Sequence, residues 1–141
     1  MTLATILQQR SAEVIQVAPD TPVKTVVALL ADHRIGAVPV VEDGNVIGIM
    51  SERDVIYSLR SDGAAILEWA VERVMTRPAI TVEPDLSILV GLSLMTRRRI
   101  RHLPVVDAGR LVGFVSIGDL VKARIEVVET EAEAMRAYIA S

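Results

Sequence analysis

The sequence predicts a mixed α/β fold (α+β in how its elements segregate). Two copies of one β-α-β-β-α unit are related by a pseudo-twofold axis, and a long C-terminal helix follows. Three observations predict it. Shifted by 65 residues, positions 14–56 lie over 79–121 without a gap, and 14 of the 43 pairs are identical; chance gives roughly three or four for this composition. Within each copy, apolar runs of strand length flank a stretch of helical periodicity. Finally, the apolar residues Val121, Ile125, Val128, Ala132, Met135 and Ile139 form a heptad-like stripe over the last residues.

The elements follow in order. Residues 2–9 read as a helical lead-in to the first copy. Residues 14–17 form a short apolar strand ended by Pro19, and 79–82 with Pro84 repeat it. In 22–33 the apolar positions 23, 26, 27 and 30 have helical spacing, echoed in 87–98 by 88, 92 and 95. Residues 37–41 and 102–106 are strands. Asp43-Gly44 supplies the positive-φ pair of a tight hairpin, and Ala108-Gly109 holds the same place. The return strands are 46–50 and 111–115, and a helix begins near Ser51 and near Ser116. Residues 64–75 read as the helical lead-in to the second copy, with Asp62-Gly63 as the hinge. Each copy is too short to build a good core alone, so the two are expected to pack face to face. The expected division is 1–62 for the first repeat, 63–126 for the second and 127–141 for a helical extension.

Composition narrows the function. Hydrophobic residues make up 51% and charged residues 23%, which excludes wholesale disorder. The longest apolar run, 26–31, is far short of the ~20 residues of a membrane span. No signal peptide opens the chain, so the expected compartment is the cytoplasm, without membrane contact. With no cysteine and only His33 and His102, neither a thiolate nucleophile nor a metal centre is expected. A net charge of −3 disfavours a broad nucleic-acid footprint.

Three repeated polar features carry possible chemistry. Gly48-x-x-Ser51-x-x-Asp54 recurs as Gly113-x-x-Ser116-x-x-Asp119. One reading is a capping box, in which Ser bonds a free amide and the acid reaches back. The other is a nucleotide clamp: a helix N-terminus attracts phosphate, a carboxylate accepts ribose hydroxyls, and Gly allows close backbone approach. Next, Gly36-Ala37-Val38-Pro39 is echoed by Arg101-His102-Leu103-Pro104. A proline in a strand implies an edge, so either the strand begins late or unpaired backbone groups bond an adenine edge. Third, in the run Arg97-Arg98-Arg99-Ile100-Arg101-His102, Arg97 and Arg98 complement the C-terminal dipole of a helix, while Arg101 and His102 lie beyond it. Arg53 stands where the second copy has Gly118, so two clefts would be unequal.

These motifs together resemble a pair of cystathionine-β-synthase (CBS) domains over about residues 1–126, with Val74-Met75-Thr76 similar to the family's lead-in. Stretches such as Ser51-Glu52-Arg53-Asp54 are similar to stand-alone bacterial CBS-pair proteins used in signal transduction. The resemblance implies a regulatory module and not an enzyme, binding an adenosine-containing ligand between its units: AMP first, with ATP, ADP or NAD as alternatives. It implies that Asp54 and Asp119 hold ribose and that Ser51 and Ser116 approach phosphate. Gly36, Ala37, Val38 and Pro39 would border the base, as would Arg101, His102, Leu103 and Pro104. Arg53, Arg101 and His102 would favour the phosphate. The cleft of the second copy is the favoured one, because Gly118 leaves room and Arg101 and His102 add charge. A homodimer and a client protein are further implied. The competing reading is a protein-interaction or nucleic-acid-binding module built on Arg97–Arg101.

Overall fold

A computed structural model describes residues 1–10 and 13–141. The elements run α1 (Leu3–Gln8), α2 (Val23–His33), β1 (Ala37–Glu42), β2 (Asn45–Ser51), α3 (Glu52–Asp62), α4 (Ile88–Arg98), β3 (His102–Asp107), β4 (Arg110–Ser116) and α5 (Ile117–Ala140). Two short 3₁₀ turns, Gly63–Glu68 and Val71–Arg73, lie between α3 and α4.

Each copy is an antiparallel hairpin covered by helices. Asp43 and Gly44 have φ of +52° and +82°, and Ala108 and Gly109 have +51° and +80°. Two successive positive values make the turn whose twist suits a two-residue hairpin. The registers match: Ala37 pairs with Ser51 and His102 with Ser116, and both hairpins bulge one residue after the strand proline, at Val40/Val41 and Val105/Val106. On α2 the spaced residues Val23, Val26 and Leu30 are buried; on α4 they are Ile88, Gly91 and Met95.

The first strand of each unit is shorter than its apolar run suggests. Val17 makes a single parallel bridge to Val40, and Val82 to Val105. Val17 donates to the Pro39 carbonyl at 3.1 Å and accepts from Val41 at 2.8 Å; Val82 does the same with Pro104 and Val106 at 3.0 and 2.8 Å. Pro39 and Pro104, which have no N–H, thus sit on the strand side that has only this short neighbour, where a missing donor breaks no ladder.

The lead-ins differ more. Leu3 and Ile6 of α1 are buried with Val82, Ile88, Leu103 and Leu120 of the second copy, whereas Ile66, Val71 and Met75 are buried with Val17, Val26, Val38 and Met50 of the first. Each lead-in precedes one copy in sequence and completes the core of the other. Backbone pairing fixes the exchange: Leu3 N–H donates to the Leu86 carbonyl at 2.9 Å, Val71 N–H to Thr21 at 2.8 Å, and Thr76 and Ile49 bond each other at 2.9 and 3.0 Å. The stretch expected as a helical linker is therefore two 3₁₀ turns laid on the first copy. Each copy has its own core, which the expected face-to-face packing alone does not supply. Helix α5 continues unbroken past residue 127.

Two glycines make the exchange possible. A methyl group at Gly113 would overlap the Leu7 side chain, and one at Gly48 would stand 2.6 Å from Met75 Sδ and 2.9 Å from the Thr76 carbonyl oxygen. The close approach that Gly48 permits is to the protein's own chain. A side-chain end can move aside and a bridged carbonyl cannot. Gly48→Ala is therefore expected to destabilise by about 1–3 kcal/mol, and by more than Gly113→Ala. Urea unfolding of the two variants checks this; equal losses would contradict it.

Candidate functional site

Two clefts of about 500 Å³ each open between the copies, within the usual range for small ligands. Each joins the strand-to-helix turn of one copy to the loop before the first hairpin strand of the other. The Asp54 cleft has Ser51, Arg53 and Asp54 on one side and Arg99, Arg101 and His102 on the other. The Asp119 cleft sets Ser116 and Asp119 against Arg34, Gly36 and Ala37. Gly36 and His102 border both.

The turns are full capping boxes. Ser51 N–H donates to Asp54 Oδ2 at 2.9 Å and Asp54 N–H to Ser51 Oγ at 3.3 Å; for Ser116 and Asp119 the distances are 2.8 and 3.2 Å. The next amide is also used: Glu52 N–H donates to the Gly36 carbonyl at 3.0 Å and Ile117 N–H to Arg101 at 2.8 Å. The capping reading is thus realised in both copies, and the grooves beside the caps remain open. Capping occupies Oδ2. Asp54 Oδ1 faces the lead-in, where Thr76 Oγ1 donates to it at 2.8 Å. Asp119 instead meets Arg10, whose Nη2 pairs with Oδ2 while Nη1 donates to the Phe114 carbonyl at 2.7 Å.

The two clefts therefore differ in charge. Among the described residues, the Asp54 cleft carries Arg53, Arg99 and Arg101 against Glu52 and Asp54, a surplus of one positive charge (3 − 2). The Asp119 cleft balances Arg10 and Arg34 against Glu13 and Asp119 (2 − 2). Between them His102 stacks on Phe114, ring centroids 5.5 Å apart. Burial pushes its imidazole below the usual range, against the pull of Glu52 and Asp119 and with a further push from Arg101. It is neutral at pH 7, able to donate from one nitrogen and accept at the other. Burial alone would raise the Asp119 carboxyl, but the Ser116 amide and Arg10 outweigh it and hold it below the ordinary value.

The expected site residues divide. Gly36, Ala37, Ser51, Arg53, Asp54, Arg101, His102, Ser116 and Asp119 line a cleft. Arg101 belongs to the cleft of Asp54, not to that of Asp119 where its charge was expected, because the strand starts of the second copy face the helix start of the first. Val38 and Leu103 are 0% exposed, one in each core, and Pro39 and Pro104 are buried beside them. None of these four lines a cleft. Gly118 faces an outer groove with Val121, so it makes no room beside Asp119. Arg97 and Arg98 are exposed at the end of α4, the favourable end of the helix dipole.

Sequence reasoning passed over Thr76, Arg10 and the pair Arg34/Arg99. The last pair had a signal, since it is one of the 14 identities. Both residues close a helix with left-handed φ, +52° and +55°, where Gly is the common choice and a side chain costs about 1–2 kcal/mol. Each turns into a cleft: Arg34 towards Asp119, Arg99 towards Asp54. Among the described residues no cluster of His, Asp and Glu could hold a metal ion, and no helix is long and apolar enough to cross a membrane.

Comparison with known proteins gives a consistent picture. The CBS-domain family model matches residues 10–61 and 71–126. The CBS domain-containing mitochondrial protein CBSX3 of Arabidopsis thaliana is 35% identical over 125 residues, which are 85% of this chain and 61% of that protein. The chain thus spans about three fifths of that relative. Inosine-5′-monophosphate dehydrogenase of Mycobacterium tuberculosis is 36% identical over 116 residues, 80% of this chain but 21% of the enzyme. Among solved structures, the CBS-domain protein ATU1752 of Agrobacterium tumefaciens superposes with a TM-score of 0.82 at 37% identity, covering 87% of this chain and 92% of that one. The CBS domain pair of protein MJ0100, solved with 5′-methylthioadenosine and S-adenosyl-L-methionine, superposes at 0.76 with 26% identity over 87% and 94%.

The Asp119 contacts predict an acid response. Its carboxyl is more acidic folded than unfolded, so its contribution to stability is complete above the ordinary value of 3.8 and is lost as pH falls through the folded value. Arg10→Ala raises that folded value. The decline of Tm with falling pH should become shallower and end at a higher pH, and Asp119→Asn should remove that component. Melting curves followed by circular dichroism from roughly pH 6 to pH 2 test this; an unchanged profile in Arg10→Ala would contradict it.

Proposed function

The chain belongs to the CBS-domain family, and on that footing we propose that it is a cytosolic regulatory module, not an enzyme, whose Asp54 cleft binds an adenosine-bearing anion: AMP before ATP, ADP or NAD. The observation that carries this reading is the Asp54 cleft itself. It is open, holds an oriented carboxylate and hydroxyl, and has three arginines at its rim. Asp54 Oδ1 and Thr76 Oγ1 offer the acceptor and donor that a ribose diol requires. Arg53, Arg99 and Arg101 take the phosphate, for which guanidinium forks are well matched. The apolar wall of Ile80 and Ile100 receives the base, and Gly36 and His102 flank it. A related pair was solved with 5′-methylthioadenosine, a thioether, and S-adenosyl-L-methionine, a sulfonium; the arginine rim here favours a phosphate-bearing ligand over either.

The Asp119 cleft is the weaker site. Arg10 already occupies the carboxylate, and the lining carries no surplus charge. A ligand bridging Arg53 of one copy and Arg101 of the other holds the two copies in one relative orientation. It can shift that orientation only by the difference in its affinity for the two states, and a client or a second subunit reads the result.

Thermal unfolding with AMP is the direct test. Saturating AMP is expected to stabilise the fold by about 2.7 kcal/mol at a hundredfold excess over Kd. The absence of a shift with every adenine nucleotide would overturn the reading. Arg99→Gly should act in opposite directions on the two observables. It relieves left-handed strain, raising the stability of the free protein by about 1 kcal/mol, and it reduces the AMP-dependent shift. A variant with an undiminished AMP shift would remove Arg99 from the site.

A further inference from the structure

Among the described residues, His102 is the one imidazole that lines a cleft, and it lines both. One face of its ring stacks on Phe114, with the planes 10° apart. At the ring edge, the place that a methyl group on Gly36 would take lies 3.4 Å from His102 Cε1, 3.6 Å from Nε2 and 3.7 Å from Glu52 Oε1. The imidazole of the second copy and the Glu52 carboxylate of the first thus approach one point across Gly36. No ion pair among the described residues uses either. On the other side His102 pairs in register with Ser116, the residue that caps α5 together with Asp119.

Two carboxylates therefore flank one half-buried ring, Glu52 from α3 and Asp119 from α5. Desolvation by burial is the largest influence and keeps the ring uncharged; the two acids oppose it, and Arg101, the preceding residue, adds to it. The remaining charges stand at the rims: Arg53, Asp54 and Arg99 in one cleft, Arg10, Glu13 and Arg34 in the other. A phosphate held by Arg101 changes two of these influences in the same direction. It neutralises the guanidinium that repels a proton, and it brings negative charge that attracts one. The ring already lies between Phe114 and Gly36, so the ligand adds less desolvation than charge. We propose that His102 makes binding in the Asp54 cleft proton-linked: a phosphate-bearing adenosine ligand enters together with a proton from solvent, which the imidazole takes up and shares with Glu52. This rests on the reading of the cleft as a nucleotide site and adds its regulation. Acidification tightens binding, and the charge gained lies on the wall shared with the Asp119 cleft, whose lining is otherwise balanced. One side chain then reads both nucleotide and pH.

The chain has two histidines, so proton NMR follows each ring directly, and His33→Gln assigns the signals. Without ligand, His102 should titrate below its ordinary value of 6.5. Saturating AMP should raise its midpoint by about one unit and leave that of His33, exposed at the end of α2, in place. Arg101→Ala should raise the ligand-free midpoint and shrink the rise that AMP induces. Between about pH 7.5 and about pH 5.5, AMP affinity should gain up to about tenfold more in the native chain than in His102→Gln; the comparison cancels the ionisation of the phosphate itself. Stabilisation by AMP with an unmoved or lowered His102 midpoint would overturn the proposal and leave the cleft its ligand, as would an equal pH slope in His102→Gln. AMP that neither stabilises the fold nor moves the midpoint would remove the nucleotide reading and this proposal together.

Discussion

The reciprocal lead-ins are the constraint on which the rest of the structure rests. Neither hairpin closes its own core. Leu7 lies on Gly113 and Met75 on Gly48, and each of these contacts needs a strand residue without a side chain. Once they are made, the chain just beyond them is fixed beside a helix start. Thr76 follows Met75 and reaches Asp54; Arg10 follows Leu7 and reaches Asp119. One packing device used twice therefore gives the two clefts their different chemistry. A neutral hydroxyl stands beside one carboxylate and a guanidinium beside the other.

The caps and the clefts share atoms without competing for them. A helix start has orphan amides, and Ser and Asp satisfy two of them in each copy. A carboxylate has two oxygens, and the box consumes one. What remains at Asp54 is an oxygen held rigidly by the cap and paired only with a hydroxyl, which a sugar diol can join or replace. At Asp119 the Arg10 guanidinium pairs with the same oxygen that the box uses, so the carboxylate charge is already neutralised there. The short side chain of Asp, where Glu would also complete a capping box, brings the carboxylate close to the turn and within reach of the lead-in.

The repeat, the hairpins and the helices were legible because their signals are local: a constant offset, a positive-φ pair at each turn, apolar spacing on each helix. The exchange was not, because adjacency in sequence says nothing about which of two similar cores a segment enters. The same ambiguity hid the partner of Arg101, which joins the cleft of the other copy. Val38 and Leu103 stood in a motif beside cleft residues, but strand alternation turns them into the cores. Gly48 and Gly113 signalled close approach correctly, and only the approaching group was misread. Arg34 and Arg99 had the clearest overlooked signal, since an identical bulky residue at both left-handed helix ends is a costly choice for capping alone.

Under the proposed function, the Asp54 cleft has a direct mechanical route to α5. Arg101 belongs to the cleft through its side chain, and its carbonyl accepts the first amide of α5 at 2.8 Å. A phosphate drawing on the Arg101 guanidinium therefore acts on the residue that anchors the start of that helix. His102, next in sequence, touches both clefts and stacks on Phe114 of β4, the strand that leads into α5. Charge placed in the first cleft is thus felt at the second cap through one strand turn. No equivalent lever exists in the first copy, where Gly36 and Ala37 occupy these positions and carry no side chain that a phosphate could pull.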